Sequence, residues 1–325
     1  MIKAHWDTVL PYMQAGGHRR LLQLTDTVEF DFTKKRSRKA LGPLNYPFRR
    51  GTRAHNSMIT TEKGVPMGLL LQSHHVRSDE DFGKAAERQS IPFEEKESYR
   101  WYEHFMAGQS LCEQNPNIEL VYVADREADI MELYLARSCE RMHFVVRAQH
   151  NRKLEDKSDN LYHLLSEQAA QGTYKVVAYD PKTLKQREAT VEIRFCKVNL
   201  KLHNTLRHKK NLPGIELCAI QAKEVEPPAD VEKPVFWVLL TTLPVETYED
   251  AMLIIQYYTT RWLIERFHFL LKSGGANVEE LQLGTSHRIQ NALTTYSTAT
   301  FNVFKLRYLA EKNPNMPIYE AGISP

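Results

Sequence analysis

Between residues 21 and 32 apolar and polar positions alternate at period two, with Leu22, Leu24, Val28 and Phe30 on one face, which predicts a strand. Asp26 falls in the middle of that same face, where a carboxylate is costly unless it is paired or holds a metal. Residues 54–61 and 66–76 predict two further strands joined by a turn at Gly64, and residues 94–108 predict a helix. Residues 118–124 form a near-continuous apolar run of buried-strand length ending at Asp125. The residues after Asp125 start a helix, with acids in its first turn as the helix dipole favours.

From about residue 149 to 233 helical periodicity disappears. Segments 174–179, 189–195, 197–203 and 215–224 alternate apolar and polar, and the apolar phase flips between Phe195 and Val198, which predicts a bulge or a turn there. This block reads as an antiparallel β insertion between two α/β halves, giving three parts: 1–148, 149–233 and 234–325. Residues 236–242 are another buried strand and lead through Pro244 into a helix over Tyr258–Lys272; residues 286–311 form one more helix, and the last dozen are irregular.

The Tyr258–Lys272 helix carries an unusual polar stripe. At ~100° per residue, Arg261, Glu265 and Lys272 lie at about 300°, 340° and 320° from Tyr258, so all four share one narrow face. The rest of the helix is apolar almost all round, which marks it as buried. A phenol, a guanidinium, a carboxylate and an ammonium on one buried stripe point to a charged ligand, an anion together with a metal. The plainer alternative is an Arg261–Glu265 ion pair with a snorkelling lysine.

Composition narrows the class only a little. The 325 residues are 42% hydrophobic and 26% charged, an ordinary globular mixture long enough for one large or two ordinary domains. No apolar run approaches the ~18 residues that span a membrane, and the N-terminus has no signal-peptide pattern. The four cysteines, Cys112, Cys139, Cys196 and Cys218, lack CxxC spacing and fit reduced thiols in a cytosol. Net charge is only +3, but cations cluster at Lys34–Lys39 with Arg49, Arg50 and Arg53, at Arg147–Lys153, and at Arg207–Lys210. Each cluster reads singly as a solvated loop; three of them beside a buried acidic stripe favour a polyanion partner.

Three acids stand out: Asp26 in mid-strand, Asp125 at a strand's C-terminal end and Glu265 on the buried helix. Strand ends of α/β sheets are where ligands bind, and converging carboxylates hold pairs of Mg²⁺ ions in phosphoryl transfer. Singly they also read as a turn residue, a helix N-cap and an ion-pair member.

Val123-Ala-Asp125-Arg-Glu-Ala-Asp129-Ile, followed at a distance by Tyr258-xx-Arg261-xxx-Glu265-xxxxxx-Lys272, resembles the bacterial DDE transposases of the insertion-sequence-4 type in residues and spacing. Thr25-Asp26-Thr27 matches the first catalytic position, and the resemblance covers roughly residues 20 to 310. It implies a ribonuclease-H-like mixed sheet with flanking helices and a β insertion before the final catalytic helix. It further implies that Asp26, Asp125 and Glu265 bind metal, two Mg²⁺ ions for which Mn²⁺ substitutes. Tyr258, Arg261 and Lys272 would contact phosphates at the transposon end, Arg147 would contact DNA, and Trp237 would stack on a flipped base. A core tryptophan is an equal reading for Trp237. Asp129 and Glu127 read as structural.

The implied activity is cut-and-paste DNA transposition: water attacks the phosphodiester at the element's end, and the freed 3′-hydroxyl attacks the second strand and later the target. The implied setting is the cytoplasm, on the nucleoid when bound to DNA, with a homodimer in the synaptic complex. Family members carry an end-recognition domain before the first acid and often a dimerisation region after the last helix, both expected to be missing here. A truncated, non-catalytic DNA-binding remnant that interferes with a full-length transposase is therefore the alternative, and a free-standing ribonuclease-H-like nuclease is a third reading.

Overall fold

The computed structural model describes residues 2–15, 17, 19–35, 39–80, 82, 91–155, 160–179, 186–202 and 214–316, and within the first helix the side chains of residues 2, 5–7, 9–11 and 14. In chain order these form α1 (Ile2–Ala15), β1 (Arg20–Asp31), β2 (Gly42–Pro43), β3 (Arg50–Thr61), β4 (Pro66–His75), α2 (Tyr99–Gln114) and β5 (Glu119–Ala124). Then come α3 (Met131–Ala136), β6 (Met142–Arg147), α4 (Leu161–Ser166), β7 (Gly172–Tyr179), β8 (Gln186–Leu200), β9 (Ile215–Glu224) and β10 (Phe236–Thr241). The chain closes with α5 (Tyr248–Thr260), α6 (Trp262–Lys272) and α7 (Ser286–Lys312). The α/β class expected from the sequence is the one observed. The Arg207–Lys210 cluster, Arg36, Arg38 and the last nine residues, 317–325, lie outside the described residues.

Two compact units divide the chain, the first made of residues 1–121 and 260–325, the second of 122–259. In the first, β1 runs antiparallel to β3 from Leu21 opposite Thr61 to Asp31 opposite Gly51. β3 carries β4 on its other edge, beyond a turn closed by Gly64 N donating to Thr61 O at 2.9 Å. Gly64 sits at φ +78°, a conformation that glycine adopts without steric cost.

Residues opposite each other in register share a sheet face. Thr25, Thr27, Ser57 and His55 therefore face one way, where His104 of α2 bonds Ser57 Oγ at 2.8 Å. Asp26 and Asn56 face the other way, where His268 of α6 bonds Asn56. Covered on both faces, β1 buries Leu21, Gln23 and Thr25 as fully as Leu22 and Leu24.

The burial of imidazoles here has a measurable consequence. Loss of hydration pushes the pKa of His104 and of His268 down from 6.5 to about 3, that of His74 down to about 4, and that of His55 well below the usual range. All four are neutral in the fold at pH 5, whereas the unfolded chain protonates them below pH 6.5. The unfolded state then binds more protons, so stability is complete above that value and falls as pH drops. At pH 5, His104 and His268 are each expected to cost about 2 kcal/mol relative to neutral pH. Urea unfolding at the two pH values checks this, and an unchanged midpoint would contradict neutral burial.

In the second unit the strand order is β5-β6-β10-β9-β8-β7, and β6–β10, β10–β9, β9–β8 and β8–β7 are all antiparallel. β8 is one strand without the bulge or turn predicted near Phe195: its pairing with β9 runs unshifted from Val191 opposite Glu224 to Leu200 opposite Ile215. The phase flip is real nonetheless. Ala189, Val191 and Ile193 are buried on one face and Val198 and Leu200 on the other, so the covered side changes while the register holds.

Two helix predictions also change. The one expected at residue 94 begins at Tyr99, after a short 3-10 turn at Phe93–Glu95. The single helix expected over Tyr258–Lys272 is interrupted at Arg261, between α5 and α6. Backbone angles there stay right-handed (φ −52°, ψ −28°), and Ile264 N bonds Arg261 O at 3.0 Å, a tightened turn. Just before it, Thr259 Oγ1 donates to Gln256 O at 2.9 Å, the back-bonding that loosens a helical ladder.

Candidate functional site

In the first unit two of the three acids share one guanidinium. Asp26, half-buried on β1, receives Arg261 Nη1 at 3.4 Å, and Arg261 Nη2 reaches Glu265 Oε1, one turn along, at 2.6 Å. Arg261 itself is 8% exposed, so this charge is balanced inside the protein. Asp26 Oδ1 also accepts from Thr27 N at 2.8 Å. Lys272 lies elsewhere, with its Nζ 3.4 Å from Glu279. Glu279 in turn accepts from Asp31 N at 2.8 Å.

The second unit brings together four residues singled out in the sequence. Asp125 directly follows β5, and its Oδ1 accepts from Tyr258 Oη at 3.1 Å and lies 3.7 Å from Arg147 Nη1. Arg147, the last residue of β6, also donates to Phe236 O at 3.1 Å. Trp237 on β10 meets Tyr258 edge-on, with ring centroids 5.2 Å apart at 65°. The structure thus places a carboxylate, a guanidinium, a phenol and an indole in one cluster. The helix expected after Asp125 starts only at Met131; a 3-10 turn, Arg126–Ala128, comes first, and Asp125 makes no side-chain capping bond to it.

Asp129, read as structural, is 5% exposed and fully engaged. Its carboxylate accepts from Gln149 N at 2.8 Å, His150 N at 3.0 Å, Tyr134 Oη at 2.8 Å and Arg152 Nε at 2.9 Å.

Much of the first basic cluster is neutralised within the chain. Lys35 pairs with Glu280 at 2.6 Å, Arg49 with Asp31 at 2.7 Å, Arg50 with Asp79, and Arg53 with Glu29 at 2.8 Å and Glu97 at 3.3 Å. Lys34 and Lys39 are exposed. Arg152 of the second cluster is committed to Asp129.

A polar layer on the face of Asp26 leaves no periodic signal in the sequence. Asn56, Gln72, His268 and Ser297 are linked there by hydrogen bonds of 2.7–3.0 Å. Only the i,i+3 spacing of Glu265 and His268 on a buried helix could have flagged it.

Among the described residues no group of three or more His, Cys, Asp or Glu side chains is close enough together to hold a metal ion. The donor chemistry nevertheless fits a hard divalent cation: Asp26 and Glu265 supply carboxylate oxygens, and the Arg261 guanidinium stands between them as a positive charge. Binding an ion there requires that guanidinium to give way. No helix among the described residues is long and apolar enough to cross a membrane.

Comparison with known proteins shows the following similarities. The family described as the transposase DDE domain matches residues 104–301, more than half of the chain. A piggyBac transposase synaptic complex with hairpin DNA is similar over 93% of this chain, with 10% identity and a TM-score of 0.38, and this chain spans 55% of that one. The NurA nuclease from Sulfolobus solfataricus is similar over 97% of both chains, with 11% identity and a TM-score of 0.32.

Proposed function

Because the chain belongs to the transposase DDE domain family, we propose that it is the catalytic core of a metal-dependent, cut-and-paste DNA transposase of the insertion-sequence-4 type, ribonuclease-H-like with β7–β9 as its insertion. The observation that carries this reading is the Asp26–Arg261–Glu265 bridge, which ties a mid-strand acid to a guanidinium 235 positions away and to the next acid along that helix. A buried fold gains little from two acids on one arginine; a site that exchanges that arginine for a cation needs them.

In this assignment Asp26, Asp125 and Glu265 would hold two Mg²⁺ or Mn²⁺ ions. Bound there, the ions would activate the attacking oxygen and stabilise the leaving oxygen. Arg147 and Tyr258, both on Asp125, place a positive charge and a phenol beside the scissile phosphate, offsetting charge on its non-bridging oxygens. Arg261, once released from the acids, and Lys272 act on the same phosphates, and Trp237 presents its ring to an unstacked base. In the cleavage step the water oxygen bonds to phosphorus, the bond to the 3′ oxygen breaks, and that oxygen leaves as a hydroxyl, the next nucleophile. DNA is the substrate, on the nucleoid in the cytoplasm, and two copies would act together in a synaptic complex.

The test is nicking of supercoiled plasmid by purified protein in Mn²⁺. Nicking is expected in Mn²⁺ and Mg²⁺ and is expected to vanish with EDTA and return when metal is restored. Nicking that persists in EDTA sinks the reading. DNA binding without nicking, under any metal, supports the remnant in its place.

A further inference from the structure

Asp26, Asn56 and Gln72 form a row across three adjacent strands: Asp26 is opposite Asn56 on β1 and β3, and Asn56 is opposite Gln72 on β3 and β4. They share a sheet face, and the two helices over that face are both bonded to the row. Gln72 Nε2 donates to Asn56 Oδ1 at 2.7 Å and to Ser297 Oγ of α7 at 2.8 Å. With its oxygen committed to Gln72, Asn56 turns Nδ2 toward α6, where it meets His268 Nε2 at 3.0 Å. An amide nitrogen can only donate, so Nε2 must accept, and the imidazole proton must sit on Nδ1. Only a neutral imidazole satisfies this. Burial, with Arg261 and Lys272 nearby, keeps His268 neutral.

His268 is three residues beyond Glu265 on α6, so the two side chains lie on one face a turn apart. α6 is eleven residues long and starts at the break after Arg261. Its apolar contacts, Ile264, Phe267, Leu270 and Leu271, are non-directional and permit small rotations and slides. The Asn56–His268 bond is directional, and its anchor is the register partner of Asp26.

We infer that His268 is a positioning residue, which through Asn56 and Gln72 fixes the Glu265 helix against the Asp26 strand and so sets the spacing of those two carboxylates. The inference rests on the transposase reading of the site. A carboxylate pair spaced for a divalent ion tolerates little displacement, and outer partners of such sites are worth about 10- to 100-fold in affinity or rate.

The experiment compares His268→Phe, His268→Gln and the parent in three measurements: thermal melting, Mn²⁺ binding by calorimetry, and plasmid nicking. Phenylalanine keeps the ring and removes the acceptor; glutamine returns an amide oxygen close to the place of Nε2. The expected result is a folded His268→Phe protein with Mn²⁺ affinity and nicking each reduced about tenfold or more, and recovery to within about threefold by His268→Gln. A folded His268→Phe protein with the parent's Mn²⁺ affinity and nicking overturns the inference, as does an equal loss in both variants. If His268→Phe does not fold, Gln72→Met carries the test: it releases Asn56 from the far side, and unchanged Mn²⁺ binding and nicking overturn the inference. A parent that neither binds Mn²⁺ nor nicks DNA defeats the functional reading itself, and the inference falls with it.

Discussion

Glu265→Gln is expected to lower Mn²⁺-dependent nicking by about 10³-fold, a barrier increase of about 4 kcal/mol, with little change in melting temperature. Glutamine keeps the shape of the side chain and can still accept from Arg261 Nη2, which lies 2.6 Å from Glu265 Oε1. It cannot supply an anionic oxygen to a divalent ion, and the loss falls on the charge-compensating part of the site. Stability should barely respond. Glu265 is 30% exposed, and its pair with Arg261 is an i,i+4 contact worth about 0.5 kcal/mol. The separation of the two readouts is the point of the experiment. Nicking within about threefold of the parent would remove Glu265 from the site and leave its bond to Arg261 as a structural ion pair. A collapse in melting temperature would show that the Asp26–Arg261–Glu265 bridge holds the fold and would leave its catalytic use unsupported.

How much of this was legible in the sequence depends on which physical signal each element leaves. β1, β5, β9 and β10 announce themselves because their apolar residues are the buried ones or form a continuous apolar run, even where polar neighbours such as Gln23 and Thr25 are buried beside them, and their predicted limits lie within about two residues of those observed. β3 is different. It is buried along nearly all of its length, yet includes Thr52, Arg53, His55, Asn56, Ser57, Thr60 and Thr61. The sequence predicts it over residues 54–61 and misses its start at Arg50, because polar residues satisfied by one another leave no hydropathy signal. The layer containing His104 and His268 was missed for the same reason, since each partner is distant in sequence: Ser57 lies 47 positions from His104, and Asn56 lies 212 from His268.

The signature residues were legible as a set, but their partners were not. On an ideal helix Tyr258, Arg261, Glu265 and Lys272 share one stripe. The break at Arg261 gives them separate partners: Tyr258 bonds Asp125, Arg261 bonds Asp26 and Glu265, and Lys272 pairs with Glu279. Spacing on an ideal helix gives directions and cannot register a tightened turn, because that turn depends on where the side-chain hydrogen bonds end up. The basic clusters show the same limit. Arg49, Arg50 and Arg53 look like a phosphate-binding run in sequence, and in the fold each meets a carboxylate of its own chain.

Asp129→Leu is expected to destabilise the protein by about 3–5 kcal/mol, the largest loss of stability foreseen for a single substitution here. The side chain of Asp129 has no solvent exposure, and its two oxygens accept five hydrogen bonds from four residues. Leucine fits the volume and satisfies none of them: it leaves the Arg152 guanidinium, 13% exposed, without its buried carboxylate and strands the amides of Gln149 and His150. The double variant Asp129→Leu/Arg152→Met separates these costs. Removing the unpaired charge along with its partner should recover a part of the loss, about 1–3 kcal/mol, because an orphaned buried cation costs more than an absent pair. The stranded amides should keep the rest. Urea midpoints for the two single variants and the double variant give the coupling directly. Strict additivity would mean that Arg152 reaches water once Asp129 is gone, and that the loop following Arg147 is held by the two backbone amides alone.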